Sequence, residues 1–480
     1  MPRRILKKTV LCFIIFITSL TAQASPYPRC GSISEGLQTL LNRINNPNVN
    51  IGVVVKSVAT GHVYFSKNGN HFFAPASVQK LFTVSSALVN LKPDYRFPTR
   101  LLMTGNTHQG VLHGDLIFQF NGDPTFTQSN LIQLVDKLRA KGIQQIAGNI
   151  IIDDTAFNHI PYPAGWLWND LSFDFAAPLN TVIINRNRFG VSFIPARRLG
   201  EKATIVPHLP PHTATFINEL ITTRHVCPLT ILSNANNQYL VRGCLPRAYG
   251  TEGRALAIRN MQLYTKNLIH ELLSQRHIAF NRGVYYAKTP IGSQLIASYQ
   301  SKPLSHIIIH LLKHSDNLYA DALFKKMGEE HFHIQGSWEN ALNAETPILT
   351  NKAGINPSKV HFVDGAGLSH YNAVTPESVS RILNYIYREP MLHNVLIPAL
   401  PIAGVDGTLA GRMPMLARGH LLHAKTGSMD GISSLAGFIK TKHHGVLSFV
   451  IMINNVPKNR APYIILENHI AEFLATTGGC

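Results

Sequence analysis

The chain is short of acidic residues. Its 26 Asp and Glu stand against 44 Lys and Arg, a formal net charge of +18 over 480 residues. Such a balance draws a protein toward polyanions. The basic residues are scattered, with no stripe of lysine and arginine interleaved with aromatics, so no nucleic-acid partner is expected; anionic polymers of the cell envelope fit better. Long apolar runs are missing after the N-terminal segment, so no internal transmembrane helix is expected. Metal motifs are missing too. The 23 histidines include His331-Phe-His333, but no H-E-x-x-H or carboxylate at ligand spacing accompanies them. No cysteine pair has zinc-site spacing. Neither a metal nor any other cofactor is implied.

At the N-terminus Arg3, Arg4, Lys7 and Lys8 lead into an apolar run over 10–20, and Ala22-Gln-Ala24 has the small-x-small form of a cleavage site. The expectation is a secretory signal peptide, residues 1–24, cleaved after Ala24. Its loss removes four basic residues and leaves a charge of +14 on a periplasmic protein, soluble or peripherally bound to a membrane. Cys12 lies in this segment without a lipobox context. The other four cysteines, Cys30, Cys227, Cys244 and Cys480, allow three pairings. Cys227 and Cys244 flank strand-like runs at 229–232 and 238–241 around the turn-forming residues 233–237. A stapled hairpin is expected there, worth about 3 kcal/mol in loop entropy.

The chain is organised around Pro75-Ala-Ser77-Val-Gln-Lys80 and the apolar run after it. Pro75 suits the turn before a helix, and a helix apolar nearly all round is a buried one. Ser77 and Lys80, at i and i+3, share a face, so hydroxyl and amine can meet. Apolar walls lower a lysine pKa toward the working pH, which suits it as the base for a serine nucleophile. The pattern is short, however, and an N-cap serine beside a snorkelling lysine reads the same way. Two later motifs decide the matter. Ser315-Asp316-Asn317 follows an apolar run at 307–312, and Lys425-Thr426-Gly427 precedes a strand-like segment.

In that order the three motifs are those of penicillin-binding proteins and serine β-lactamases. The chain resembles the low-molecular-mass class C penicillin-binding proteins, which are D-alanyl-D-alanine carboxypeptidases and endopeptidases. The resemblance extends to Gly122-Asp-Pro-Thr-Phe-Thr127, Asp364-Gly-Ala-Gly-Leu-Ser369 and Leu400-Pro-Ile-Ala-Gly-Val-Asp-Gly-Thr408. It implies an α+β fold: a penicillin-binding/β-lactamase-like transpeptidase domain with helices packed on an antiparallel sheet, an all-helical lobe, and strand-rich domains inserted after the nucleophile helix. The core would take residues 25–100 and 295–480, and the insertion 101–294, with a nested piece at about 127–195. First and last helices lie side by side in that fold, which implies a second disulfide, Cys30–Cys480.

The same resemblance assigns roles. Ser77 attacks the carbonyl between two D-alanines of a peptidoglycan stem peptide or cross-link, and β-lactams acylate it. Lys80 takes the hydroxyl proton, Ser315 relays it to the leaving amine, and Asn317 holds Lys80 and the substrate amide in register. Lys425, Thr426 and Ser428 suit the terminal carboxylate, and Gly427 lets the substrate backbone approach. Backbone N–H groups of Ser77 and Ser428 form the oxyanion hole. Asp153 either matches an aspartate that reaches a diaminopimelate side chain or is a strand-end turn residue. Where relatives commonly have arginine after Gly-Leu-Ser, this chain has His370; where they have an uncharged polar residue after Lys-Thr-Gly-Ser-Met, it has Asp430. Both substitutions weaken a pocket meant for the acidic branch of the peptide.

Periodicity predicts helices at 32–45, 129–141, 262–275, 303–312 and 462–474, and strands at 51–57, 63–66, 112–120, 149–153, 434–440 and 446–454. Trp166 and Trp168 with Asn169-Asp170 could mark a sugar-binding surface, but such aromatics fit loop anchors better. Three other classes fit the sequence less well. A β-lactamase needs a base for deacylation, and no suitable E-x-x-x-N loop lies between Ser77 and Ser315. A zinc peptidase lacks its motif. A non-catalytic peptidoglycan scaffold leaves three intact motifs unexplained.

Overall fold

The computed structural model describes residues 32–44 and 46–477. The expected signal peptide and both partners of the expected Cys30–Cys480 disulfide lie outside the described residues. Among the described residues no helix is long and apolar enough to cross a membrane.

The central sheet draws on both ends of the chain. Its five antiparallel strands run in the order Val63–Lys67, Asn50–Ser57, Val446–Asn454, Ile432–Lys440, Leu422–Met429. Val446–Asn454 is apolar almost throughout because both its faces are covered. Leu447, Phe449, Ile451 and Ile453 enter one core, and Val450 and Met452 the opposite one, the period-two division of a strand. The first core is closed by the helices Ile33–Leu41 and Ala461–Thr476. They approach closely at Gly36, where a Cβ would lie 2.0 Å from the Phe473 ring. A capping box between Ser32 and Glu35 starts the first of them.

The other face carries the helical lobe. Helix Lys80–Leu91 runs through it with ten of its twelve residues buried, so this helix has no polar face to offer solvent. Leu304–His314, Asn317–Phe332, Trp338–Asn351 and Pro376–Arg388 pack around it.

The chain leaves this core through strand Pro98–Met103 and returns through Gln294–Gln300, its antiparallel neighbour. At the neck Phe97 N–H donates to Ser301 Oγ at 2.9 Å, and Ser301 N–H to the Phe97 carbonyl at 3.0 Å. These two strands edge a mixed sheet completed by Leu116–Gln119, Ile150–Asp153 and Val284–Tyr286. The strand expected at 112–120 is interrupted at Gly114, where a Cβ would lie 1.9 Å from the Thr104 carbonyl oxygen.

Helix Gln128–Ala140 packs Leu131, Leu134, Val135 and Leu138 into the core of the first inserted sheet. The separate small sheets are Arg188–Ile194 with Thr204–Pro207 and Glu252–Ala257, and Thr215–Thr223 with Gln238–Pro246 and Thr230–Ser233. The last two strands form the expected hairpin, closed by the Cys227–Cys244 disulfide. Between Asp153 and Arg188 the chain has only short 3₁₀ turns. It lies against the helical lobe, with Asn158 N–H bonded to the Gly336 carbonyl and the Trp166 indole to Asp364.

Candidate active site

Ser77 sits where the chain turns sharply into the buried helix. Ala76 takes a left-handed conformation, φ 47°, a strained choice for a residue with a Cβ. Ala76–Gln79 forms one 3₁₀ turn that runs straight into Lys80–Leu91. Lys80 thereby folds back on Ser77, Nζ to Oγ 2.9 Å, and its other donors meet Asn317 Oδ1 and the Ala366 carbonyl, each at 2.7 Å. Ala366 belongs to the Asp364–Ser369 stretch, which is knotted around one carboxylate. Asp364 accepts from the N–H groups of Gly367, Leu368 and Ser369, from the Asn372 amide and from the Trp166 indole. Trp166 is thus a loop anchor, whereas Trp168 stays exposed.

Ser315 joins two helices in a left-handed conformation, φ 56°, with Asp316 capping the second and Asn317 opening it. The edge strand Leu422–Met429 brings Lys425 to it: Nζ lies 2.8 Å from Ser315 Oγ and 2.7 Å from the Thr426 carbonyl. Gly427 is required by the protein's own backbone, since a Cβ there would lie 2.7 Å from the Pro75 carbonyl oxygen.

Both lysines are fully buried. Burial brings the Lys80 pKa down to about 8, with the charges of Asp321, Asp364 and Asp316 pulling the other way. Lys425 is held well below its ordinary range, by burial first and then by the positive charge of Lys80. Asp321 is pushed well above the carboxylate range by burial and the neighbouring Asp364 charge.

A cavity of about 350 Å³ opens on this cluster, lined by Ser77, Ser315, Asn317 and Ser428. Larger clefts of about 930 and 770 Å³ contain none of the motif residues. His370 and Asp430 line the same small cavity, as do Asp170 and Arg460. The Arg460 guanidinium donates to the Met429 carbonyl at 3.3 Å. Asp170 is raised above the usual carboxylate range, by burial first and then by the Asp430 charge, with His370 opposing.

Asp153 is not among them. It is buried at a strand end, Oδ1 accepting from Thr155 N–H and Oγ1, and Oδ2 from Thr289 and Gln119. Its contacts are those of a turn residue. The aspartate beside the Ser77 cluster is Asp170, which the sequence placed only in a loop with Trp166 and Trp168, because that loop is aperiodic and is positioned only by tertiary contacts.

Three comparisons bear on this geometry. Residues 35–476 match the model of the D-Ala-D-Ala carboxypeptidase 3 (S13) family. The chain is 33% identical over 442 residues to the D-alanyl-D-alanine carboxypeptidase DacB of Haemophilus influenzae, covering 88% of this chain and 90% of that one. The crystal structure of penicillin binding protein 4 from the same organism superposes with a TM-score of 0.85 at 32% identity, covering 92% of this chain and 99% of that one. Its complex with a β-lactam gives 0.80 at 30% identity, with the same coverage.

Proposed function

Because the chain belongs to the D-Ala-D-Ala carboxypeptidase 3 (S13) family, as a low-molecular-mass class C penicillin-binding protein and serine-type D-Ala-D-Ala carboxypeptidase, we propose that its acyl-enzyme forms on Ser77 with Lys80 as the base. The observation that carries this reading is the 2.9 Å contact that the fully buried Lys80 makes through Nζ with Ser77 Oγ at the floor of the cavity.

A lysine with pKa about 8 is neutral in about a tenth of molecules at pH 7, enough to accept the Ser77 proton. Ser77 Oγ then adds to the carbonyl between the terminal D-alanines. Backbone N–H groups of Ser77 and Ser428 stabilise the oxyanion that develops. Collapse breaks the peptide bond, and Ser315, which accepts a hydrogen bond from Lys425, passes a proton to the departing amine. Asn317 keeps Lys80 in register through its side-chain oxygen. Lys425, Thr426 and Ser428 meet the carboxylate of the leaving D-alanine. Water then attacks the acyl-enzyme and regenerates Ser77.

The substrates are peptidoglycan stem peptides and their cross-links, and β-lactams are covalent inhibitors, as the bound relative supports. Asp170, Asp430, His370 and Arg460 border the space for the residue preceding the D-alanines. Arg460 supplies a permanent positive charge there. The site of action is the periplasm, reached through the N-terminal segment. The strong basic balance favours anionic envelope polymers as a further partner.

Labelling with fluorescent penicillin and intact mass spectrometry test the reading. Wild type should gain one adduct, and Ser77→Ala none. A folded wild type that takes up no penicillin overturns it.

A further inference from the structure

Two arginines outside the motifs reach the catalytic residues from the insertion. Asn185, Arg186 and Asn187 are all left-handed, with φ of 51°, 60° and 52°. Three such residues in a row, none a glycine, persist only where surrounding contacts over-determine them. Those contacts are present. The buried Asn187 amide donates to the carbonyls of Pro178 and Val182, its oxygen accepts from Ile184 N–H, and Asn185 Oδ1 accepts from Gln128 N–H. What the strained turn achieves is the placement of Arg186. Its guanidinium donates to Asp316 Oδ2 at 3.0 Å, with His310 3.5 Å from the same oxygen. Asp316 stands between Ser315 and Asn317 and caps the helix that Asn317 opens, accepting from Tyr319 N–H.

A second tie runs one residue further along. Arg188 pairs with Asp174. Asp174 starts the 3₁₀ turn Asp174–Ala176, and the carbonyl of Phe175 in that turn accepts the Asn317 side-chain amide at 2.8 Å. With Lys80 on its oxygen and Phe175 on its nitrogen, the Asn317 amide is fixed in both orientation and flip, leaving one N–H free of these partners. Neither arginine lines the cavity that holds Ser77; both line the cleft of about 930 Å³ on the other side.

We infer that Arg186 and Arg188 are positioning residues, through which the inserted domain holds Ser315 and Asn317 in their reactive arrangement. The inference rests on the reading of Asn317 as part of the catalytic cluster. It makes the insertion part of the reaction centre, acting through two ion pairs.

The test uses the whole purified protein and the rate of acylation by fluorescent penicillin, with kcat and KM on a peptide ending in D-Ala-D-Ala. Arg186→Gln and Arg188→Gln should each lower the acylation rate and kcat about ten- to a hundredfold, since small misplacements of reacting groups have effects of that size. KM should change much less. Arg186→Lys, which keeps a cation for Asp316, should recover most of the rate. Arg254→Gln, which removes a surface pair with Glu252 in the same insertion, should leave rate and kcat unchanged. Melting temperatures of all variants separate a slow enzyme from an unfolded one. If Arg186→Gln does not fold, Arg188→Gln, whose pair is partly exposed, carries the test alone. Rates within twofold of wild type in folded glutamine variants overturn the inference, and so does failure of Arg186→Lys to recover activity beyond Arg186→Gln. Absence of any adduct on wild type is a different outcome, which removes the catalytic reading underneath.

Discussion

The hydroxyl of Thr426 donates to that of Thr408 across 2.8 Å. Thr408 closes the Leu400–Thr408 stretch and lies outside the three motifs, so on the proposed role of Thr426 in carboxylate binding it would support substrate indirectly.

Thr408→Val should therefore raise KM for peptides with a free terminal carboxylate about three- to tenfold, the worth of one hydrogen bond. The acylation rate by penicillin at saturation should hardly move. Steady-state kinetics on both substrates check this, and an unchanged KM would remove Thr408 from the binding strand's support.

As the proposed base Lys80 must be neutral to act, and burial brings its pKa down to about 8, where an ordinary lysine has 10.5. Acylation should rise with pH, reach half its plateau near pH 8, and fall about tenfold per unit well below it. Rates of penicillin labelling from roughly pH 6 to pH 9 measure the limb. A profile flat across that range contradicts Lys80 as base.

Glu345, buried in helix Trp338–Asn351, has its carboxyl pushed up by burial to about 8 from an ordinary 4.5. The native state therefore keeps a proton that the unfolded chain has already released. Stability is fully present below about pH 4.5, declines as pH rises toward 8, and levels off above it. Glu345→Met should remove this slope, so its melting temperature should gain on wild type by several degrees more at about pH 8 than at about pH 5. Parallel melting curves across that range would show that Glu345 does not titrate as described.

His370 faces a cavity that also holds Asp170, Asp430 and Arg460. His370→Arg adds a permanent guanidinium, so kcat/KM for diaminopimelate-containing peptides should rise about tenfold, with little change for lysine-containing ones. An equal response to both peptides would show that position 370 does not read the acidic branch.

Most of this site could be read from the chain because its parts are local. Ser77 and Lys80 meet through helical spacing alone, and Ser315 and Asn317 are two residues apart on one turn. The central strands were visible for the same reason, their apolar runs at 446–454 and 51–57 needing no distant information. What escaped depends on tertiary placement. Asp153 and Asp170 are equally plausible aspartates in one dimension, and only the packing of the loop beside Asp364 and Phe175 brings Asp170 to the cavity. The break at Gly114 reflects a neighbour ten residues back, the Thr104 carbonyl. Arg186 gave no signal at all, since Asn-Arg-Asn has no motif and its left-handed backbone is imposed by Phe126, Pro178 and Val182.

The neck between Phe97 and Ser301 has a historical consequence. Entry and exit of just over two hundred residues stand one hydrogen bond apart, so an ancestral core gains such an insertion at almost no topological cost and, in principle, loses it as easily. Once Asn317 leans on Phe175, excision stops being neutral: a chain rejoined at the neck keeps Ser77 and Lys80 but takes from the asparagine one of its two anchors. Acquisition is reversible only until the reaction comes to depend on it, and the amide of one side chain is where that ratchet engages.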